Sequence, residues 1–408
     1  MLSYILSRSL PVAGKPFLDY YGANQIIPVT QVINRAHFER RYYLYRTLGL
    51  FGYGSRSAPI KVMEIGAGTG DNAVATSYFM PGMQISFIDG NQASYSAIEE
   101  KIKSNILPNT SSLECLDFVS ADLSGHYKSY DLVICEGTIP GQLKPKEFAA
   151  KLFAMAGEQG RVCLTCADSF SLLPEMLRRL YRPRLMKYKY TEAVKRGVQI
   201  FETHLDALPK MSRAPEDWVV DQIIHPWMHE NWEFSILDAI DVASACGFDF
   251  LGSSPSFLTD WSWYKEVTET KNYWNRIASD AWKRKRIYSI SKSLRISDKD
   301  IDNEAQLSLL MHELSRHVSR ISTNDQHVYC ESDYSSVGYI LKEIRKVLLA
   351  SSLRDELEEV IQAISDFILA WPSICFGDVL VDTNSFKTWW GRGQQYVSFQ
   401  RWINIPVL

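Results

Sequence analysis

Between residues 60 and 166 short apolar runs alternate with helix-like stretches, and the first run ends in three closely spaced glycines, Gly66, Gly68 and Gly70. The runs at 60–65, 84–89, 116–120, 130–135 and 161–166 read as strands. The stretches at 71–79, 93–105 and 145–156 read as helices between them. Parallel neighbours need a crossover of a dozen or so residues, and a helix supplies it. The alternation therefore predicts an α/β fold with a doubly wound parallel sheet covered by helices on both faces.

The pattern weakens on either side. Residues 1–55 form an N-terminal segment whose apolar and aromatic positions at 36–49 recur at helical spacing, and a Gly- and Ser-containing linker follows. The sheet-forming core is expected at 56–170, followed by an insertion of helix and loop at 171–234. A helix ending at Gly247 and a strand continue the core at 235–258. Residues 261–375 read as a large helical region, in which Ser351 and Ser352 divide one long amphipathic stretch. Residues 376–408 return to strand-like composition and are expected to complete the sheet. At roughly 100–200 residues per domain, 408 residues suit such a division.

The turn after the first strand carries the strongest chemical signal. It reads Glu64-Ile65-Gly66-Ala67-Gly68-Thr69-Gly70-Asp71-Asn72. Glycines there permit positive φ and close approach of the backbone to a ligand. The spacing is not the GxGxxG of a dinucleotide site, and no GxxxxGK[ST] exists for a phosphate cradle. Asp89 ends the second strand, where a carboxylate can accept both hydroxyls of a ribose. Asp122 follows the third and can accept from an adenine amino group, and Glu136 ends the fourth.

In this order and at this spacing, the four elements resemble the class I S-adenosylmethionine-dependent methyltransferases. The resemblance covers about residues 60–170. It implies a Rossmann-like methyltransferase sheet with S-adenosylmethionine as cofactor. It also implies that Glu64, Gly66, Gly68, Gly70, Asn72, Asp89 and Asp122 form the donor site. A looser resemblance, carried by Tyr20–Val29, by Ser254-Pro255 with Thr259-Asp260-Trp261 and by Gly391–Tyr396, is to bacterial methyltransferases of O-antigen and surface-polysaccharide assembly. It implies O-methylation of a sugar hydroxyl on a polysaccharide or its precursor. The alternatives are a methyltransferase for a protein side chain or small natural product, and a donor-binding interaction protein without catalysis.

Methyl transfer to a hydroxyl needs alignment and a base within reach. Asp168 after the fifth strand, Glu136 after the fourth, and His225 in the insertion are the candidate bases. The competing readings are that Asp168 caps the following helix, that Glu136 bonds the donor amine or a loop amide, and that His225 is structural. Tyr21, Arg41, Asp260 and Trp261 are candidate acceptor contacts. Arg40 and Arg41 equally suit a solvated helix face.

Composition narrows the rest. Lys+Arg 44 against Asp+Glu 47 excludes a strongly basic coat protein, although 283–286 is a local basic run that could meet phosphate. Nucleic acid is therefore not the expected partner; a small molecule or glycan is. No apolar run approaches the ~20 residues of a bilayer span, and no secretory leader is read. Seven cysteines without framework spacing suit reduced thiols in a cytoplasmic protein, with Cys163 and Cys166 buried in a strand. His312 and His317 lack the i, i+4 spacing of a helical ligand pair, so no metal site is expected.

Overall fold

The computed structural model describes residues 35–50, 59–107, 112–208, 214–260, 262–263, 265, 272–325, 327–377 and 380–402. The chain divides into two compact units. One comprises Met1–Cys166, Phe234–Ser279 and Gln395–Leu408, and the other Ala167–Glu233 and Asp280–Gln394.

The first unit is built on one sheet of seven strands: β1 (Lys61–Ile65), β2 (Gln84–Asp89), β3 (Ser112–Cys115), β4 (Tyr130–Cys135), β5 (Ala156–Cys166), β6 (Phe248–Ser254) and β7 (Gln395–Arg401). Their order is β3-β2-β1-β4-β5-β7-β6. Strands β1 to β5 run parallel, and β7 lies antiparallel between β5 and β6. The helices that go with them are α1 (Arg35–Thr47), α2 (Asp71–Phe79), α3 (Gln92–Lys103), α4 (Pro145–Met155) and α5 (Ile236–Ala245). This is the doubly wound Rossmann-like sheet the alternation predicts. The chain proceeds from β1 to β2 and β3 on one side, then returns to place β4 on the other side of β1. Such a reversal opens a crevice at the carboxyl ends of the two central strands.

Apolar runs make these strands because both faces are covered. Val62, Ile85, Phe87, Leu132 and Ile134 are buried in one cluster with Tyr45 of α1, with Leu48 just after it and with Ile98 of α3. Helix α5 starts at Ser235, whose hydroxyl and the Asp238 carboxylate cap each other's backbone, and Gly247 ends it at φ +79°.

Two strands differ from expectation. The third is Ser112–Cys115 rather than 116–120. Asp117 accepts from the Val119 amide at 3.0 Å and the Ser120 hydroxyl at 2.9 Å, which turns the chain there. Phe118 is buried against Phe148 of α4, not as a strand residue. The C-terminal tail does join the sheet, but as an interior strand whose Val397 and Phe399 are fully buried.

The second unit is helical. Helices Leu173–Arg179, Tyr190–Asp206, Glu304–Thr323, Glu331–Ala350 and Glu358–Phe376 surround a core that includes Phe201, Trp232, Leu307, Leu341, Phe367 and Trp371. The long stretch divides at Ser351, as expected. Among the described residues, Glu358–Phe376 is the one helix long and apolar enough to cross a membrane by length and composition, which the sequence reading did not single out. Its Val360, Ile364, Phe367, Trp371 and Ile374 belong to the core of this unit. All seven cysteines are free thiols, and Cys163 and Cys166 are buried in β5.

Candidate functional site

The site grows from the end of β1. The Gly66 amide bonds to the Ile88 carbonyl at 2.9 Å, carrying the sheet pairing one residue beyond the strand. Gly66, Gly68 and Gly70 then all take positive φ, at 66°, 55° and 77°. Two of these positions differ in a telling way. A Cβ on Gly66 would overlap the Thr138 hydroxyl, whereas a Cβ on Gly68 would meet nothing within 4 Å among the described residues. Among the described residues the turn is thus backed by protein at Gly66 and open at Gly68.

Asp89 closes the turn from the neighbouring strand. Its Oδ2 accepts from the Gly68 amide at 2.8 Å and its Oδ1 from the Asn91 amide at 2.9 Å. Burial pushes this carboxyl up from its ordinary value, and the two amides work against that shift. A carboxylate has about four acceptor positions. Two are used here, so capacity remains for ligand hydroxyls. The open turn and the partly engaged carboxylate at one strand edge fit an adenosyl donor.

Glu64 lies one pleat back in β1 and is 4% exposed. Burial first, then the neighbouring Glu136 charge, push its carboxyl up to about 8. Asn72 is half-buried in the first turn of α2, with its carbonyl accepting from Thr76. Asp122 is exposed and accepts from the Ser124 amide at 3.0 Å, which holds its carboxyl below the ordinary value. Its structural role is an Asx turn.

Glu136, at the carboxyl end of β4, is gripped by two other segments. Arg41 donates to both its oxygens, at 2.9 Å from Nη1 and 2.5 Å from Nη2, and the Tyr396 hydroxyl donates at 2.8 Å. Arg41 also donates to the Tyr45 hydroxyl at 2.8 Å, and Tyr45 bonds Thr76. Arg41 is 6% exposed, so the solvated-face reading fails for it, whereas its neighbour Arg40 is exposed. Arg41 lies on the sheet side of α1 because Tyr45, one turn on, packs into the core on the same side.

Asp168 and His225 belong to the second unit. Asp168 is buried, its Oδ1 accepts from the Ser171 amide at 2.9 Å, and its own amide donates to the Ser171 hydroxyl at 3.1 Å. That turn, made with Ser171 rather than Ser169, leads into the helix starting at Leu173. Glu233 accepts from the Ser169 amide at 2.9 Å; burial and then Asp168 push its carboxyl up. His225 is buried, and its carbonyl accepts from Arg179. Asp260 is exposed and accepts from the Ser262 amide and hydroxyl. Tyr21 and Trp261 lie outside the described residues. The basic run is paired: Lys285 meets Asp300 at 2.7 Å, Arg284 meets it at 3.5 Å, and Arg286 meets Glu304. That removes much of its phosphate-binding charge.

The structure thus gathers Glu64, the glycine turn, Asp89 and Glu136 at one edge of the first unit's sheet. Sequence reasoning missed Lys101, Thr138 and Tyr396 there. Lys101 and Thr138 carry no local signal, and nothing in the terminal run Gly391–Tyr396 sets Tyr396 apart. No metal-binding cluster of His, Cys, Asp and Glu occurs among the described residues.

No protein-family model matches the chain, and no curated protein matches it. Solved structures are similar at low identity. One is a protein from Galdieria sulphuraria described as a sarcosine dimethylglycine methyltransferase, at 11% identity, TM-score 0.38, covering 94% of this chain and 91% of that one. Another is magnesium protoporphyrin IX methyltransferase from Synechocystis PCC 6803 with bound SAH, at 12% identity, TM-score 0.32, covering 58% and 85%. A third is the cyclase SpnF, at 8% identity, TM-score 0.35, covering 91% and 82%.

Proposed function

We propose that the protein is an S-adenosylmethionine-dependent methyltransferase acting on a hydroxyl, with a sugar of a polysaccharide precursor as the favoured acceptor. The observation that carries the reading is the Gly68–Asp89 contact. The amide of an open left-handed turn is fixed by the carboxylate at the end of the next strand, at the topological switch of a parallel sheet. The sugar acceptor rests on the looser resemblance alone.

The donor supplies a methyl group already activated by the sulfonium. Gly66, Gly68 and Gly70 would line its methionine and ribose, Asp89 would accept from the ribose hydroxyls, and Asn72 would reach the methionine end. Glu64 would face the donor's ammonium. Asp122 would take the adenine amine, although its Asx turn already engages one oxygen. Glu136 is better suited to holding α1 than to taking a proton, because Arg41 and Tyr396 occupy its oxygens. The candidate bases are those of the sequence reading, Asp168 and His225. Free thiols at all seven cysteines support a reducing compartment such as the cytoplasm.

The test is calorimetric titration with S-adenosylmethionine and S-adenosylhomocysteine, followed by turnover across nucleotide sugars, envelope glycans, peptides and small metabolites. Wild-type protein should bind both, and Asp89→Ala should weaken binding about ten- to hundred-fold. Failure of the wild type to bind either sinks the reading. Binding without a methylated product from any acceptor favours the non-catalytic alternative.

A further inference from the structure

We propose that Lys101 is a positioning residue for the donor site, acting through Thr69 and Asp71 to hold the glycine turn ready for its ligand. The proposal rests on the donor reading above.

Lys101 sits in the last turn of α3, a place where lysine is ordinarily solvated and interacts only with the helix terminus. Here it is buried. Its ammonium donates to the Thr69 carbonyl at 2.5 Å and to Asp71 Oδ1 at 2.8 Å. Asp71 Oδ2 in turn accepts from the Thr69 hydroxyl at 2.7 Å. Both partners lie inside or directly after the run Gly66–Gly70. The same helix brings Ile98 under Gly70, where an added Cβ would come within 3.0 Å of Ile98 Cγ1. Helix α3 therefore contacts the turn through an apolar support and an ionic one.

The other side of the turn is held from the start of the same βα unit. Asp89 takes the Gly68 amide, and Asn91, two residues on, caps α3 by accepting from the Ala93 and Ser94 amides. The result is a closed circuit. The turn is bonded to Asp89, the Asp89–Asn91 segment fixes the start of α3, and the end of α3 returns Lys101 to the turn. A chain of glycines has many accessible conformations, and ordering them only when the ligand arrives would weaken binding. A buried ammonium between a carbonyl and a carboxylate removes that freedom beforehand. A cation with several donors on a flexible stem suits the task.

The experiment uses the full chain and two readouts: affinity for S-adenosylhomocysteine by calorimetry, and amide hydrogen exchange across residues 66–72 in the ligand-free protein. Lys101→Met should weaken affinity about tenfold or more and speed exchange in the turn, with exchange in β4 and β5 unchanged. Lys101→Arg should recover most of both. Asp71→Asn should act in the same direction, and its combination with Lys101→Met should add little, since the two residues form one contact. The proposal is overturned if Lys101→Met leaves exchange in the turn at the wild-type rate. It is equally overturned if exchange quickens uniformly across the unit and arginine gives no rescue. Should wild-type protein fail to bind S-adenosylhomocysteine, the donor reading falls, while the exchange data on ligand-free protein still decide whether Lys101 holds the turn.

Discussion

Arg41 of α1 and Glu136 at the end of β4 are joined by two hydrogen bonds although 95 residues separate them. Their side chains are 7% and 11% exposed, so the pair works largely out of water. Removing one member of a buried pair strands the other and costs about 3–5 kcal/mol, whereas replacing both with neutral groups costs much less. Arg41→Met should therefore lower stability sharply. Combining it with Glu136→Gln should recover a large part of the loss. Chemical denaturation of the two single variants and the double variant closes the cycle. Hydrogen exchange in α1 should rise in Arg41→Met well before that of the sheet. Additive losses in the double variant would mean that the two residues act independently.

The two sides of the glycine turn separate folding from binding. Gly66→Ala forces a Cβ into the Thr138 hydroxyl at positive φ. It should destabilise the protein by roughly 1–3 kcal/mol or more. Gly68→Ala meets no atom of the described residues within 4 Å and bears the strain of its left-handed backbone, about 1 kcal/mol. Its methyl group nevertheless fills the face the donor is proposed to use. Melting temperature and S-adenosylhomocysteine affinity should therefore diverge, with Gly68→Ala nearly as stable as wild type but a markedly poorer binder. Equal affinity in Gly68→Ala would place the ligand on another surface.

The parts of the site legible in the sequence are those with a local signature. Three glycines after an apolar run, and an aspartate ending the next run, need only neighbouring residues to be recognised. The sheet was readable for the same reason, since each strand is an apolar segment of its own. What escaped depends on chain segments far apart. Lys101 looks like any lysine on a polar helix face until α3 is packed against a turn some thirty residues earlier. Arg41 looks solvated until Glu136 is found beneath it. The third strand was misplaced because Phe118 earns its burial from α4 and not from pairing. Short-range pattern cannot separate those two causes. The interior place of β7 depends on pairing with both β5 and β6, which no local window contains.

Glu64 makes the first unit lose stability as the pH rises from 4.5 to about 8. Its carboxyl titrates near 8 in the folded protein and at the ordinary 4.5 when unfolded. Between those values the folded state holds a proton that the unfolded state has released. Stability therefore falls as pH rises through this window, by as much as about 1.4 kcal/mol per pH unit from this group. Glu64→Gln keeps the shape and removes the titration. Its unfolding free energy, measured from pH 5 to 8, should be flatter than that of the wild type, and the variant should be the more stable of the two at pH 8. Parallel profiles would show that Glu64 is ionised in the fold.

His204, in the second unit, acts in the opposite sense. Arg178 is fully buried, with its guanidinium 3.9 Å from the Trp390 ring centroid. Its Nη2 donates to the Phe386 and Trp389 carbonyls at 2.8 and 3.0 Å, and its Nε donates to His204 Nδ1 at 3.2 Å. Only neutral imidazole can accept that bond. Burial first, and then the Arg178 charge, hold His204 down to about 3, against an ordinary 6.5. Between those values the unfolded chain binds a proton that the folded chain refuses. Stability from this group is thus complete above pH 6.5 and is lost progressively as the pH falls toward 3. His204→Gln supplies a carbonyl oxygen in place of Nδ1 and does not titrate, so it should blunt the acid sensitivity of this unit. Hydrogen exchange resolves the units separately. From pH 7 to 5, protection in helix Tyr190–Asp206 should drop in the wild type and hold in His204→Gln, while protection in β1 and β4 should rise. A parallel fall in both units would mean that neither buried group governs its own surroundings.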